Sequence, residues 1–239
     1  MKMKFELTDK FIINDFGVKL YRIKALKDFG DVNVGDFGGY VQDLNNLSQI
    51  GDAWVYGDAQ VFGDAWVCDN AQVCDNAQVY ENVLVYENAL VFGDAWVFGD
   101  ARVYENARVY ENARVYGDAQ VCDNAWVYGD ARVYDNAWVY GDARVYDNAW
   151  VYGDARVYDN AWVYGDARVY DTINNTNLKK MDTDVFIRKV AEMREYQKRY
   201  FHGKQQSDLR FSKVLEKEVD NMIDQYKIEE FNKRQLNLF

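Results

Sequence analysis

The sequence of 239 residues contains no proline, one histidine and three cysteines. No apolar run reaches the roughly 20 residues that cross a membrane, and no secretion signal is recognisable at its start. The thiols, Cys68, Cys74 and Cys122, occupy equivalent repeat positions without the spacing of a zinc site. We therefore expect no metal, no disulfide, no membrane partner and a reducing, cytoplasmic location.

The net charge of −11 is unevenly distributed along the chain. Residues 1–50 contain seven acids and seven bases. Residues 51–170 contain twenty acids, seven arginines and no lysine, whereas residues 172–239 contain eleven acids and fourteen bases. Because the middle segment is strongly acidic, direct binding of nucleic acid by that segment is not expected.

A six-residue repeat fills residues 51–170 without interruption. Each of the twenty hexads has Val at its fifth position, and all but one have Ala at the third, where Val83 is the exception. The first two positions are Gly-Asp, Asp-Asn or Glu-Asn, the fourth is Trp, Arg, Gln or Leu, and the sixth is Tyr, Phe or Cys. Ala and Val alternate with period two, so they share the inner face of a short strand, while the opening pair forms a corner. One hexad cannot bury its own Ala and Val, so stacked coils are predicted.

The spacing of Val55 to Ala59 and of Val127 to Ala131, an aliphatic residue followed by a small residue four positions later, resembles the hexapeptide-repeat β-helix family. The resemblance covers about half of the chain. It implies an all-β solenoid over residues 51–171, a left-handed parallel β-helix with three hexads per coil. It implies no single activity, because acyltransferases, carbonic anhydrases and non-catalytic proteins share this fold.

The late repeats favour three hexads per coil independently. From Gly129 the twelve-residue unit GDARVYDNAWVY recurs. A coil of two hexads would place Arg over Arg, whereas a coil of three places Arg over Trp at about 4.8 Å, a favourable cation–π contact. Recent duplication of the unit is an alternative source of the pattern. The ladders predicted for the three faces are Trp126, Arg144 and Trp162; Arg132, Trp150 and Arg168; and Trp138 and Arg156.

The two ends of the repeat need covers, because an open solenoid end exposes a sheet edge. Residues 1–50 are predicted to form an N-terminal β cap, with a hairpin of 11–13 and 18–25 around a turn at 14–17. The segment from Tyr21 to Ala59 resembles the start of bacterial and prophage hexapeptide-repeat proteins, many of which are called transferases from their fold alone.

Residues 172–239 have the pattern of a helical hairpin with an extended tail. Asp182 or Thr183 can cap the first helix and Gly203 can end it, and Ser207 can cap the second. Whether this hairpin caps the solenoid or projects from it stays open. The residues with helical spacing are Phe186, Val190, Met193 and Tyr200, then Phe211, Leu215, Val219, Met222 and Tyr226.

The last five residues of the sequence are Gln-Leu-Asn-Leu-Phe. They resemble the peptide with which many bacterial proteins bind the sliding clamp of DNA polymerase. That resemblance implies a hydrogen-bonding role for Gln235 and hydrophobic contacts for Leu236, Leu238 and Phe239. The alternative is an apolar tail that folds back on the helices.

No catalytic constellation is recognisable. Acyltransferases of this fold use a histidine base and carbonic anhydrases three histidine ligands, but the single histidine here is His202, and we expect no catalytic residue and no cofactor. All seven Trp and fourteen Tyr of the hexads are expected at outward or corner positions, an unusual aromatic surface for a monomer. The leading hypothesis is a non-enzymatic scaffold or protein-interaction protein of phage type, with a protein partner or self-association through the aromatic faces. The alternatives are an acyltransferase, a carbohydrate-binding solenoid, and a DNA mimic with about one acid per 1.6 Å of axis, against about 1.7 Å in duplex DNA.

Overall fold

The computed structural model describes residues 3–174, 177–178 and parts of the segments 190–201 and 212–219. The chain divides into two compact units, Met1–Lys179 and Lys180–Phe239. Among the described residues, no helix has both the length and the apolar character needed to span a membrane.

The hexads of the first unit form a parallel β-solenoid. The strands lie at the fourth and fifth hexad positions, and within the repeat each pairs in parallel with the strand three hexads further along, as Val133 does with Val151, until the hexads end. This register confirms three hexads per coil and rules out the coil of two. The handedness implied by the family resemblance stays a prediction.

Three sheets run along the solenoid, and we call them faces A, B and C. Face A contains β5 Gln60–Val61, β8 Gln78–Val79, β11 Trp96–Val97, β14 Arg114–Val115, β17 Arg132–Val133, β20 Trp150–Val151 and β23 Arg168–Val169. Face B contains β4 Trp54–Val55, β7 Gln72–Val73, β10 Leu90–Val91, β13 Arg108–Val109, β16 Trp126–Val127, β19 Arg144–Val145, β22 Trp162–Val163 and β25 Asn177–Leu178. Face C contains β6 Trp66–Val67, β9 Leu84–Val85, β12 Arg102–Val103, β15 Gln120–Val121, β18 Trp138–Val139, β21 Arg156–Tyr158 and β24 Ile173–Asn174.

The core is a continuous column of valine and alanine. Every fifth-position Val and every third-position residue, Val83 included, is at most 3% exposed. The predicted inward face is therefore confirmed, and the outward side chains are those of the fourth position.

The corners use backbone conformations that favour glycine. All twenty first-position residues have positive φ, and ten of them are Asp or Glu rather than Gly. Such a conformation costs an L-residue roughly 1–2 kcal/mol. Most of the acids offset this cost, because their carboxylates accept a hydrogen bond from the backbone N–H of the equivalent residue in the next coil. Glu81 accepts from Gly99 at 2.7 Å, and Glu111 accepts from Gly129 at 2.8 Å.

The N-terminal cap begins with a hairpin at the predicted turn, but its first strand starts at Phe5 rather than at residue 11. Strand β1, Phe5–Ile13, pairs antiparallel with β2, Lys19–Ala25. Strand β3, Phe37–Val41, pairs antiparallel with β2 and parallel with β5, so the cap extends the sheet of face A. Gly39 permits this approach, since a Cβ there would lie 2.6 Å from the carbonyl oxygen of Ala59.

Two side chains satisfy the exposed carbonyl groups of the first coil on the other faces. On face B, the Nζ of the buried Lys4 donates to the carbonyl oxygens of Gly51 at 3.3 Å and Ala53 at 2.8 Å. On face C, the Nδ2 of Asn46 donates to the corresponding carbonyls of Gly63 and Ala65, each at 2.9 Å. These donors replace the backbone N–H groups that a preceding coil would supply.

Asn46 is held in place by a short 3-10 helix, Leu44–Asn46. Asp43 caps this helix: its side chain accepts from the N–H of Asn45 at 2.9 Å, and its own N–H donates to the Asn46 side chain at 2.8 Å.

After the last hexad the strands continue on two faces. Ile173 pairs with Val157, and Leu178 pairs with Val163. The paired residues are separated by fewer than the eighteen residues of three hexads, so the coil is irregular here. The strands therefore extend beyond residue 171, the predicted end of the solenoid. In the second unit, the described residues between 190 and 201 and between 212 and 219 are helical, as predicted. The proposed caps Asp182, Thr183 and Ser207, the stop Gly203, and the packing of a hairpin lie outside the described residues.

Candidate functional site

From Trp96 onward, the outward fourth positions of face A form a ladder in which tryptophan and arginine side chains pack on one another. The Trp150 ring lies between the guanidinium groups of Arg132 and Arg168, each with its Cζ 4.8 Å from the ring centre. Arg114 lies 5.0 Å from Trp96 in the same way, a contact outside the late repeats on which the prediction is based. Each guanidinium therefore packs on a ring rather than on another cation.

Faces B and C carry the same kind of ladder. Arg144 lies between Trp126, at 4.8 Å, and Trp162, at 5.3 Å. Arg156 lies 5.5 Å from Trp138. The three-hexad register thus brings together all eight side chains of the predicted ladders, whose role as a binding surface stays a prediction.

One tryptophan departs from the expected outward exposure. Trp54, at the start of face B, is 1% exposed because Phe5 and Phe29 of the cap pack edge-on against it at 6.1 and 5.3 Å. The hexad pattern directs its side chain outward, but the cap covers it. The prediction that every tryptophan forms part of the outer surface is therefore wrong for Trp54.

The Arg–Trp ladder should contribute to stability as well as to surface chemistry. We expect Trp150→Ala to lower the free energy of unfolding by about 1–2 kcal/mol, because two cation–π contacts are lost. Trp66→Ala is the matched control, since Trp66 is 46% exposed and pairs with Leu84 rather than with an arginine. Chemical denaturation of both variants checks this, and equal losses would contradict it. Val151→Ala should cost more per atom removed, because Val151 is fully buried.

The sixth positions form stacked columns of aromatic rings at the corners. Neighbouring rings in the column that follows face A are 4.8–5.3 Å apart and within 9° of parallel. This column consists of Phe62, Tyr80, Phe98, Tyr116, Tyr134 and Tyr152. A second column follows face B and consists of Phe92, Tyr110, Tyr128, Tyr146 and Tyr164. Each inner ring therefore packs against the rings of the coils before and after it, which restricts the rotamers open to it.

Burial of the stacked rings opposes ionisation of their hydroxyl groups. Desolvation, followed by the neighbouring Tyr128 and Glu111, raises the pKa of Tyr110 to about 12. Tyr134 and Tyr146 have raised pKa values for the same leading reason. The raised pKa values keep the hydroxyl groups of these three tyrosines protonated well above neutral pH.

The second positions add a row of amides and carboxylates along each corner. At five of the six described places where Asn lies one coil before Asp, its Nδ2 donates to that Asp, as Asn76 does to Asp94 at 2.9 Å and Asn148 to Asp166 at 3.2 Å. The alternation of Asp-Asn and Gly-Asp hexads therefore separates carboxylates along the axis, which lowers their mutual repulsion.

The cysteines are free, and their surroundings oppose the reactive thiolate form. Burial, then the charge of Asp69, raises the pKa of Cys68 to about 12. Burial raises the pKa of Cys74 and of Cys122 to about 11. Because the thiolate is the nucleophile, these residues are poorly suited to covalent catalysis.

Two groups of residues singled out in the sequence lie outside the described structure. They are His202, the only histidine of the chain, and Gln235, Leu236, Leu238 and Phe239 of the terminal segment that resembles a clamp-binding peptide. Within the part of the chain that the structure describes, no group of three or more His, Cys, Asp or Glu side chains is arranged to hold a metal ion.

Comparison with known families supports the repeat architecture. A family model described as the YdcK beta solenoid repeat matches the hexads at residues 71–87, 101–117, 107–123, 119–135, 125–141, 137–153 and 149–165. Each matched segment covers almost three hexads, which is close to one coil. The matched segments together cover about a third of the chain, and they agree with the parallel β-solenoid of the structure. No curated protein matches the chain.

Proposed function

We propose that this repeat β-solenoid protein is a non-catalytic interaction scaffold that binds a protein partner through its outer ladders. The observation that carries the proposal is the mutual stacking of the outward side chains, with Trp150 between two arginines and Arg144 between two tryptophans. Trp, Tyr and Arg are the residues most often decisive in protein interfaces. Because the ladder side chains already pack on one another, they lose little conformational entropy when a partner binds.

The acidic charge of the repeat indicates what kind of partner fits. Seven arginines against twenty acids give the hexads a net charge of −13, so two solenoids repel each other at low salt, and a partner with a basic surface is favoured. Self-association through the aromatic columns is the alternative, and it would strengthen rather than weaken with salt. We place the site of action in the cytoplasm, because free thiols persist in a reducing compartment.

The test is affinity capture from a bacterial lysate at low and high salt. The intact protein is compared with Trp126→Ser/Trp162→Ser, which removes both rings that flank Arg144, and with Trp66→Ser as control. We expect specific proteins to be retained by the wild type and the control, and to be lost with the double variant and at high salt. Retention that is equal for all three proteins would contradict the proposal. So would acetyl-coenzyme A bound at His202 with a second reactive side chain in reach.

We also propose the bacterial sliding clamp as a specific partner, because residues 235–239 match the clamp-binding peptide. Purified clamp should bind the full chain, and Leu238→Ala/Phe239→Ala should abolish binding by removing two hydrophobic contacts. Lys233→Ala, just before the motif, is the control and should bind normally. Undiminished binding by the double variant, or no binding by the wild type, would remove the clamp from the proposal.

A further inference from the structure

One step on face A interrupts the alternation of arginine and tryptophan. Arg114 and Arg132 are direct neighbours on adjacent coils, so two cations would meet. Instead, Arg114 packs on Trp96, one coil before it, and Arg132 packs on Trp150, one coil after it. The two guanidinium groups are thus drawn in opposite directions along the axis. Between them lies a cleft of about 260 Å³ lined by Asp94, Trp96, Asn112, Arg114, Asp130 and Arg132.

The corner beside this step is unusual as well. At every other point in the described solenoid where an Asn precedes an Asp by one coil, the Asn amide donates to that Asp. Asn112 and Asp130 have the same relationship, yet no hydrogen bond joins them in the described structure. The break in the amide row coincides with the break in the Arg–Trp ladder, and both open into the same cleft.

Of the polar side chains in the cleft, Asp94 accepts a hydrogen bond from Asn76, whereas Asn112 and Asp130 have no hydrogen bond to another described side chain. Apart from their ring contacts, the side chains of Arg114 and Arg132 have no hydrogen bond or ion pair with any described residue. A guanidinium has five N–H donors, and two adjacent guanidinium groups match the oxygens of a carboxylate. Asp130 can accept hydrogen bonds, and the amide of Asn112 can both donate and accept. The lining therefore provides a cationic part for an acid group and an accepting part for hydroxyl groups.

We propose that this cleft binds a hydroxylated carboxylate of the uronic-acid type. Arg114 and Arg132 bind the carboxylate, Asn112 and Asp130 bind hydroxyl groups, and Trp96 forms an apolar wall. The volume is below the roughly 300–1,000 Å³ typical of pockets for drug-sized ligands, so the cleft admits one sugar residue. Inorganic phosphate or acetate would use the arginines alone, and an amino acid would place an ammonium group near Asp130.

The experiment measures binding of sodium glucuronate to the full chain by NMR titration of the arginine Nε–Hε signals. Acetate, inorganic phosphate, glycine and glucose are compared at the same ionic strength. We expect glucuronate to bind at least tenfold more tightly than acetate, phosphate or glycine, and glucose not to bind. An oligosaccharide that ends in glucuronate distinguishes a polysaccharide ligand from a free sugar acid. Tighter binding than that of the monosaccharide indicates a polysaccharide, and equal binding indicates the free acid.

Two variants locate the site. Arg114→Gln should weaken glucuronate binding at least tenfold, whereas Arg102→Gln should not, because Arg102 lies between Leu84 and Gln120 and has no arginine directly beside it on its face. Asp130→Ala should lower the affinity for glucuronate relative to that for acetate, because it removes a hydroxyl acceptor that only glucuronate uses, while the loss of a negative charge favours both anions. The proposal is overturned if glucuronate does not bind, if acetate, phosphate or glycine binds as tightly, or if Arg102→Gln and Arg114→Gln have equal effects. The glucuronate titrations do not depend on the capture of a protein partner through Trp126 and Trp162, so this proposal and the proposed function can fail separately.

Discussion

Deleting one hexad, residues 141–146, will destabilise the solenoid more than deleting two, residues 141–152. The coil holds three hexads and the late unit holds two, so the removal of one hexad reverses the alternation beyond the deletion. Trp126 would then stack on Trp150, Arg132 on Arg156, and Asp130 on Asp154. Removal of two hexads instead places Trp126 beside Arg156 and Arg132 beside Trp162, so every favourable pairing is restored.

The expected difference follows from the contacts that are exchanged. Three cation–π contacts of about 0.5–1 kcal/mol each are lost only in the single-hexad deletion. Like charges placed directly opposite each other add a further penalty of roughly 0.2–1 kcal/mol per pair. We therefore expect the six-residue deletion to be about 2–4 kcal/mol less stable than the twelve-residue deletion, as measured by urea denaturation followed by circular dichroism.

Deletion of one whole coil, residues 141–158, separates two explanations. This deletion keeps every later hexad on its original face, but it stacks identical side chains, with Trp126 on Trp162 and Arg132 on Arg168. If the outer ladders matter, this deletion is also less stable than the twelve-residue one. If the eighteen-residue deletion is the most stable of the three variants, stability depends mainly on keeping each hexad on its original face, and the ladders contribute little.

Lys4→Met will destabilise the N-terminal end of the solenoid. Methionine has a chain of similar length to the methylene chain of lysine, but it lacks the amino group that donates to the carbonyl oxygens of Gly51 and Ala53. A buried polar group that loses its partner costs about 1–3 kcal/mol, and relief of the desolvated charge offsets part of that cost, so we expect a net loss of about 1–2 kcal/mol at pH 7. Lys10→Met is the control, because Lys10 is exposed and its amino group lies over the ring of Phe37.

The effect of Lys4→Met should also depend on pH. Burial lowers the pKa of Lys4 from 10.5 to about 8, whereas the unfolded chain keeps the ordinary value. Between these values the unfolded state binds more protons, so the wild type gains stability as pH rises from about 8 to 10.5. The stability difference between wild type and Lys4→Met should widen over that interval, while the Lys10→Met difference should not. A difference that narrows would show that Lys4 is not desolvated in the folded protein.

The repeat could be predicted from sequence because each hexad repeats the same local physics. The inward Val and Ala, the positive φ of the first position and the three-hexad coil all depend on patterns that are complete within one coil. The coil size also determines the contacts of Trp150 with Arg132 and Arg168.

The cap and the cleft could not be predicted in the same way, because they depend on contacts between distant or irregular positions. Lys4 reaches carbonyl groups 47 and 49 residues away, and nothing in its local sequence marks it as buried. The expected exposure of Trp54 is wrong for the same reason, since the residues that cover it belong to the cap. The Arg114–Arg132 step could have been found by extending the three-hexad offset to the earlier hexads.

The sequence unit has two hexads whereas the coil has three, and this difference restricts how the length of the repeat can change during evolution. Unequal recombination between copies of the two-hexad unit adds or removes twelve residues at a time, and each such event leaves arginine against tryptophan on every face. A slip of one hexad reverses that order. We therefore expect selection for folding to tolerate changes in the number of two-hexad units and to remove single-hexad slips. Natural variants of this chain should differ in length by multiples of twelve residues in this region.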